Sequence, residues 1–563
     1  MQFSRSRVHG FFDSSKKFYV IPVYQRAYSW EEPQWKEFLN DLKEYIKGAS
    51  KYYYGNVLLE TIEKDVEYEI IDGQQRLTTI VIFIRSLIDV LITKKDNNYD
   101  LDELKTTYLI NKGNIKIRPV DYDRAFFDAL IIDGKSSYNE NTPSQTRMKK
   151  AKKHFFRELS KESTKTIIEL LDRLQKAEVN CIELEGKKDS ALTFELENNR
   201  GRDLTNLEKL KSYFMYQMYV VSKKKEADTN IQYISNVFKN IYIIIKDLKK
   251  INEDQLLIYH CNAYLNGYSY RNIEDIKDYY KKSNNKVVWI KDFVDELYGS
   301  FSNFKWLENQ QTEYFIKLNK LEIPAFVYPF ILKGAKYLKH DSNKFSKILE
   351  IMEILVFRYK LINSRASIES RLSKTLLAFK GDISVLKSNL RINLNDAWYW
   401  SDSRIRSYLN DNMYARDSVI YYLLWEYEKY IQNKGYNIKI CELKDEQIEH
   451  ISPVTPNEGG VAAGYEVDCN NSYSEDFVNK HLNSLGNLML ISGTHNRVIG
   501  NKPFKKKLDS YNSNPLLNQQ AEIKDFAAWA NNNPVWDSDA INKRHLKIFS
   551  FAINRWSFDK VTI

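Results

Sequence analysis

The stretch Tyr68-Glu-Ile-Ile-Asp-Gly-Gln-Gln-Arg-Leu-Thr-Thr79 decides how the N-terminal part of the chain is read. Ile70 and Ile71 read as the end of a buried strand, Gly73 as a tight turn, and the apolar run from Leu77 to Ile92 as a buried helix. A helix N-terminus carries unpaired N–H groups and partial positive charge. Asp72, Gln74, Gln75 and Arg76 are therefore crowded where a phosphate can be bound and a metal ion or water positioned, the outline of a nucleotide site. Read alone, Asp-Gly is more often only a turn, and one glycine is a weak phosphate-loop signal.

Upstream, Phe18-Tyr-Val-Ile-Pro-Val-Tyr-Gln-Arg-Ala-Tyr-Ser-Trp30 alternates as a strand through Phe18, Val20, Pro22 and Tyr24, then ends in a polar and aromatic cluster. Tyr24, Gln25, Arg26 and Trp30 supply stacking surfaces, an amide and a guanidinium, the inventory that grips a phosphate backbone or a splayed base; aromatic residues serve a core equally well. Pro33 suits a first helical turn, and residues 52–60 and 66–71 read as two further strands. Residues 143–176 are helical, and strand-like residues from Cys181 to Leu196 precede a loop at Asn199 to Gly201. Thr205 and Glu208 form a capping box that opens a helix. Helix then follows helix to about Leu390, with breaks near Gly267 and Gly299.

The 563 residues exceed a single core and point to about three domains, over 1–204, 205–395 and 396–563. The excess of 84 Lys and Arg over 74 Asp and Glu gives a net charge of +10, which permits nucleic-acid binding without demonstrating it. Four scattered cysteines form no Cys-x-x-Cys pair, excluding a disulfide scaffold or zinc knuckle and suiting a reducing cytoplasm. The N-terminus has no apolar signal core, and Arg85 and Asp89 interrupt the longest apolar run, so no membrane partner is expected.

Phosphodiester hydrolysis needs a base to make hydroxide, a cation for the phosphate oxygen and a positive group for developing charge. The C-terminal part contains candidates for all three. His450 can deprotonate water, Glu449 and Asn496 offer oxygens to a hard divalent cation such as Mg²⁺ or Mn²⁺, and one lysine among Lys502, Lys505, Lys506 and Lys507 can face the phosphate. A lone histidine or a lysine run after proline is, by itself, more often structural or solvated.

In combination, Pro-Val-Tyr-Gln-Arg, Asp-Gly-Gln-Gln-Arg and Phe194-Glu-Leu-Glu-Asn-Asn-Arg-Gly-Arg-Asp-Leu204 resemble the N-terminal domain of GmrSD-type modification-dependent restriction proteins. Glu-His-Ile-x-Pro, Leu-Gly-Asn-Leu-x-Leu, Asn496 and Asn-Lys-Pro-Phe-x-x-Lys resemble the HNH-like domain that ends the same proteins. The resemblance implies an α+β, mostly helical chain: a ParB-like α/β domain, a helical middle and a ββα-metal (HNH-like) nuclease domain. It implies NTP hydrolysis, GTP first, with Asp72 on magnesium, Gln74 positioning water, Gly73, Gln75 and Arg76 at the phosphates, and Asn199 and Lys211 in the same pocket. It implies His450 as general base, Asn496 at the metal, Asn487 orienting the strand pair and Lys507 as the catalytic cation. Two departures are Glu449, where many HNH nucleases have Asp, and Val454 after the proline; His495 is a substitute ligand. The implied partner is modified foreign DNA, with phage defence as the setting and a homo-oligomer as one form of the protein. Two alternatives are an NTP-hydrolysing nucleic-acid sensor with an inactive nuclease, and a nuclease of RNA or unmodified DNA.

Overall fold

The computed structural model describes residues 2–44, 53–95, 99–184, 204–223, 225–395, 400–432, 445–456, 462–513 and 515–561. They form an α+β, mostly helical protein in two compact units. One comprises Met1–Ile258 with Arg271–Glu308, the other Tyr259–Tyr270 with Asn309–Ile563. The helical stretch over 205–395 contributes to both. Among the described residues no helix is long and apolar enough to cross a membrane.

The first unit contains β1 (Gln2–Arg7), β2 (Phe18–Val20), α1 (Glu32–Glu44), β3 (Tyr53–Glu63), β4 (Glu67–Asp72) and α2 (Gln74–Thr93). There follow β5 (Ile117–Arg118), α3 (Pro143–Ser160), β6 (Glu178–Leu184), α4 (Asn206–Val221), α5 (Ala227–Asp247) and α6 (Lys286–Glu308). Its six-stranded sheet has the order β1-β6-β3-β4-β2-β5. The pairs β1–β6 and β3–β4 are antiparallel, and the other three are parallel. Alternation along β3 sends Val57 and Leu59 into the main core with α2 and α3, and Leu58 to a small cluster with Ile71 and Leu184. From Leu77 to Leu91 every residue but Asp89 is buried, so α2 is enclosed on every side.

Two details differ from the sequence reading. β2 stops at Val20 instead of continuing to Tyr24, since Pro22 lacks the N–H a further ladder bond needs. Gly299 does not break the chain: α6 runs through it, carried by the buried stripe Ile290, Val294, Leu297, Phe301 and Phe304, which outweighs a glycine penalty of about 1 kcal/mol. Of the strand-like residues expected over 181–196, Cys181 to Leu184 lie in β6, and the remainder, with Asn199 and its loop, lie outside the described residues. The capping box at Thr205 and Glu208 is present as expected.

The second unit contains α7 (Ser342–Ile362), α8 (Asp417–Ile431), β7 (Glu446–His450), β8 (Leu488–Ser492), α9 (Gly493–Ile499) and α10 (Phe504–Ser513). The hairpin β9 (Ala528–Ala530) and β10 (Asn533–Val535) and the helix α11 (Ser538–Arg555) also belong to it. Glu353 on α7, fully buried, accepts hydrogen bonds from Tyr422 Oη at 2.6 Å, Arg555 Nη1 at 2.9 Å and Trp556 Nε1 at 2.8 Å. Arg555 also reaches Glu426. A buried, fully hydrogen-bonded charge network of this kind resists separation, because leaving one charge unpaired costs several kcal/mol. It joins the helical segment before residue 395 to the C-terminal helices.

Candidate functional site

The turn after β4 is built as its sequence demands. Gly73 caps α2 with φ of +92°, and a Cβ there would come within 3.1 Å of Val57 Cγ2 and 3.3 Å of the Asn56 carbonyl oxygen. Asp72, the last residue of β4, is exposed. Gln25 is completely buried; its Nε2 donates to the Ile71 carbonyl at 2.7 Å and its Oε1 accepts from Gln74 Nε2 at 2.9 Å. Gln75 accepts from the Ser29 N–H at 2.8 Å and donates to the Ala27 carbonyl at 3.1 Å. Two motifs separated by about half a hundred residues are thus one hydrogen-bonded unit.

Arg76 lies across β3, donating to the carbonyls of Tyr54 and Asn56, each at 2.8 Å, with Asp72 at 3.6 Å. Gly55, with φ of +106°, leaves room for it: a Cβ there would sit 1.7 Å from Arg76 Nη1. Two fixed carbonyls orient the guanidinium and leave other N–H donors of its five for a ligand. Gln74 Oε1 is buried and has no hydrogen-bond partner among the described residues. An orphaned acceptor at a helix N-terminus is a place for a water or ligand donor.

Lys211, carried by α4, donates to the Gln25 carbonyl at 3.1 Å and lies 5.4 Å from the Tyr122 ring. It is 1% exposed, and burial pushes its pKa down to about 8. Lys211 therefore supports the Gln25 loop from beneath. The loop's aromatic residues serve packing: Tyr24 joins the Leu58–Ile71–Leu184 cluster, and Trp30 packs against the main core. As a contact to nucleic acid, Gln25 is corrected to a buried brace, because full burial withholds the surface such contact needs, whereas Tyr24 and Trp30 are partly buried and keep part of each ring open. Arg26 is half-buried on the same loop and engaged within the protein.

In the second unit β7 and β8 pair antiparallel with His450 opposite Leu488, and α9 follows directly, a ββα arrangement. His450 Nε2 lies 3.0 Å from Asn483 Oδ1, an acceptor, so Nε2 carries the hydrogen and Nδ1 the lone pair. The Tyr414 ring lies 4.5 Å from the imidazole, and burial lowers the pKa of His450, keeping the ring neutral at physiological pH. Asn487, fully buried, accepts from the Ser452 N–H at 2.8 Å and from Trp536 Nε1 at 3.1 Å. It donates to the Leu482 carbonyl at 2.8 Å and so fixes the chain on both sides of the site. Asn496 donates to Gln447 Oε1 at 2.8 Å.

Two assignments change here. Neighbours in a strand face opposite sides, and Glu449 turns inward, away from His450. Its Oε1 accepts from Lys507 Nζ at 2.6 Å and Tyr511 Oη at 2.9 Å, with burial raising the carboxyl's pKa against the pull of Lys507. Lys507 is 1% exposed and also donates to the carbonyls of His450 and Ile451. Glu449 as an open metal ligand and Lys507 as a phosphate contact do not match this placement; they form an internal brace behind the base. His495 is likewise engaged at both ring nitrogens, by Gln520 and Ser510. No group of three or more His, Cys, Asp or Glu residues among the described ones could hold a metal ion.

Asn483, Tyr414, Tyr511 and Trp536 surround the site without having been singled out from sequence. Trp536 and Tyr414 stand outside every motif; Asn483 lies four residues before Asn487 in His481-Leu-Asn-Ser-Leu-Gly-Asn487, and that closeness is the one sequence signal for it.

Residues 8–215 match the GmrSD restriction endonuclease N-terminal domain, and residues 399–551 match the GmrSD restriction endonuclease C-terminal domain. No curated protein matched the chain. With both domains present in order and together spanning more than half of its length, the chain belongs to the GmrSD restriction endonuclease family, a DNA endonuclease of restriction defence.

Proposed function

We propose that this endonuclease cleaves or nicks modified foreign DNA, with His450 as general base and an NTP site at Asp72 to Arg76 controlling it. The observation that carries the nuclease half is the Asn483-oriented, neutral His450 on the ββα scaffold. Nδ1 takes the proton from an attacking water, and Tyr414 limits the ring's rotation while it does so. Asn487 acts by holding the backbone at Ser452 and Leu482, so that the imidazole stands in one place.

A magnesium or manganese ion is the expected cofactor of such chemistry, but the residues fit it incompletely. Glu449 would have to abandon a buried ion pair to ligate, which leaves Asn496 as the supporting oxygen donor. At the N-terminal site the fit is better: exposed Asp72 would hold the magnesium that accompanies an NTP and neutralises its charge. Arg76 is pre-oriented toward the phosphates, and the orphaned Gln74 Oε1 accepts a hydrogen from the attacking water. GTP is the first nucleotide to test, and Lys211 holds the Gln25 loop that forms one wall.

A second reading, an NTP-hydrolysing sensor with an inactive nuclease, draws on the inward-turned Glu449. Plasmid nicking separates the two when run with and without NTP and Mg²⁺, on phage DNA with modified bases and on unmodified DNA. Cleavage that needs NTP and modification supports the first reading. NTP turnover without cleavage under every condition supports the second.

A further inference from the structure

The β9–β10 hairpin takes no part in the chemistry above. Its turn residues Asn531 and Asn532 have φ of +48° and +60°, the positive pair that a two-residue type I′ turn requires and asparagine tolerates. The base of the hairpin is locked to the nuclease core. Trp536, fully buried, donates to the same Asn487 oxygen that holds Ser452, and its ring lies 5.5 Å from Phe504 at the start of α10. Gly464 allows this approach, since a Cβ there would meet Phe504 Cβ at 2.8 Å and the Pro534 carbonyl oxygen at 3.2 Å.

Trp529 stands opposite Pro534 on this rigid ribbon and is 67% exposed, more than any other large hydrophobic residue among those described. At that exposure most of the indole is open to solvent. On α10, directly after Phe504, Lys505 and Lys506 are exposed and make no ion pair among the described residues. An exposed indole held by a stiff ribbon, with unneutralised cations on the adjoining helix, is complementary to a polyanion that carries flat bases.

We propose that Trp529 is a DNA-stacking positioning residue. Its indole stacks on a base of the duplex at a distorted or unstacked step, while Lys505 and Lys506 take backbone phosphates, so that Trp536 and Asn487 relay a fixed register from the bound DNA to His450. The inference rests on the endonuclease reading. Its test compares the parental protein with W529A, W529F and the double variant K505A/K506A, using fluorescence anisotropy on a labelled duplex at several salt concentrations, together with cleavage kinetics. W529A should bind DNA roughly 5- to 100-fold more weakly with an unchanged salt slope, W529F should keep most of the affinity, and K505A/K506A should flatten the slope. Melting temperatures should be unchanged throughout, as all three side chains are exposed. Parental DNA binding with unchanged W529A affinity overturns the stacking role alone; so does altered self-association of W529A with DNA binding intact, which would make Trp529 a contact between copies. A parental protein that binds no DNA removes the endonuclease reading, and this inference with it.

Discussion

Lys507 Nζ lies 2.6 Å from Glu449 Oε1, with both side chains buried behind the strand that carries His450. The pair is a structural brace, which makes the two residues of the Glu-His dyad unequal. Removing one partner of a buried ion pair typically costs about 3–5 kcal/mol because the other charge is stranded. K507M and E449Q should therefore each lower the melting temperature, and the double variant should recover part of the loss. Thermal melts of the three proteins check this. Loss of cleavage in E449Q with unchanged melting, rescued by excess Mg²⁺, would instead make Glu449 a ligand.

A base must be unprotonated to act, and burial sets His450 below the ordinary imidazole value of 6.5. Cleavage should therefore be fully retained at neutral pH and fall only as the pH drops through that lowered value. A pH–rate profile under single-turnover conditions reports it. An acidic limb above pH 6.5 would mean that His450 is either charged by an unseen neighbour or not the base.

Gly55 and Arg76 make a paired prediction. A Cβ at Gly55 would occupy the guanidinium's place and would strain a left-handed backbone by about 1–2 kcal/mol. G55A should reduce NTP turnover about as far as R76A, with secondary structure retained by circular dichroism. Parental turnover in both variants would place NTP hydrolysis elsewhere or remove it.

Lys211 is held in the folded state at about 8, below its ordinary 10.5. The unfolded chain binds the extra proton between those values, so this group makes stability rise with pH across that window. Parental protein should gain stability relative to K211M as the pH goes from 8 toward 10.5. Chemical denaturation of both proteins at the two ends measures the difference, and parallel curves would contradict the burial of that ammonium group.

What could be read from the sequence was local. The apolar run after Gly73, the Thr205–Glu208 capping box and the strand ending at Asp72 follow from neighbouring residues and appear where expected. The failures are long-range. Gln25 looks like a DNA contact until its amide is found on the Ile71 carbonyl, and Lys507 looks like a solvated lysine until it is found on Glu449, 58 residues away. Hydrophobic periodicity reports which face of an element is buried, but a buried polar side chain finds its partner through the tertiary fold, and no spacing in the chain announces it. Asn483 and Tyr414 at His450 were missed for the same reason.

Whether His450 is the base of a working nuclease is decided by single-turnover cleavage of modified DNA by purified H450A. Loss of the base should slow cleavage by about 10²- to 10⁴-fold, with melting temperature and NTP turnover unchanged. Cleavage by H450A within a few-fold of the parental rate would rule His450 out as the base.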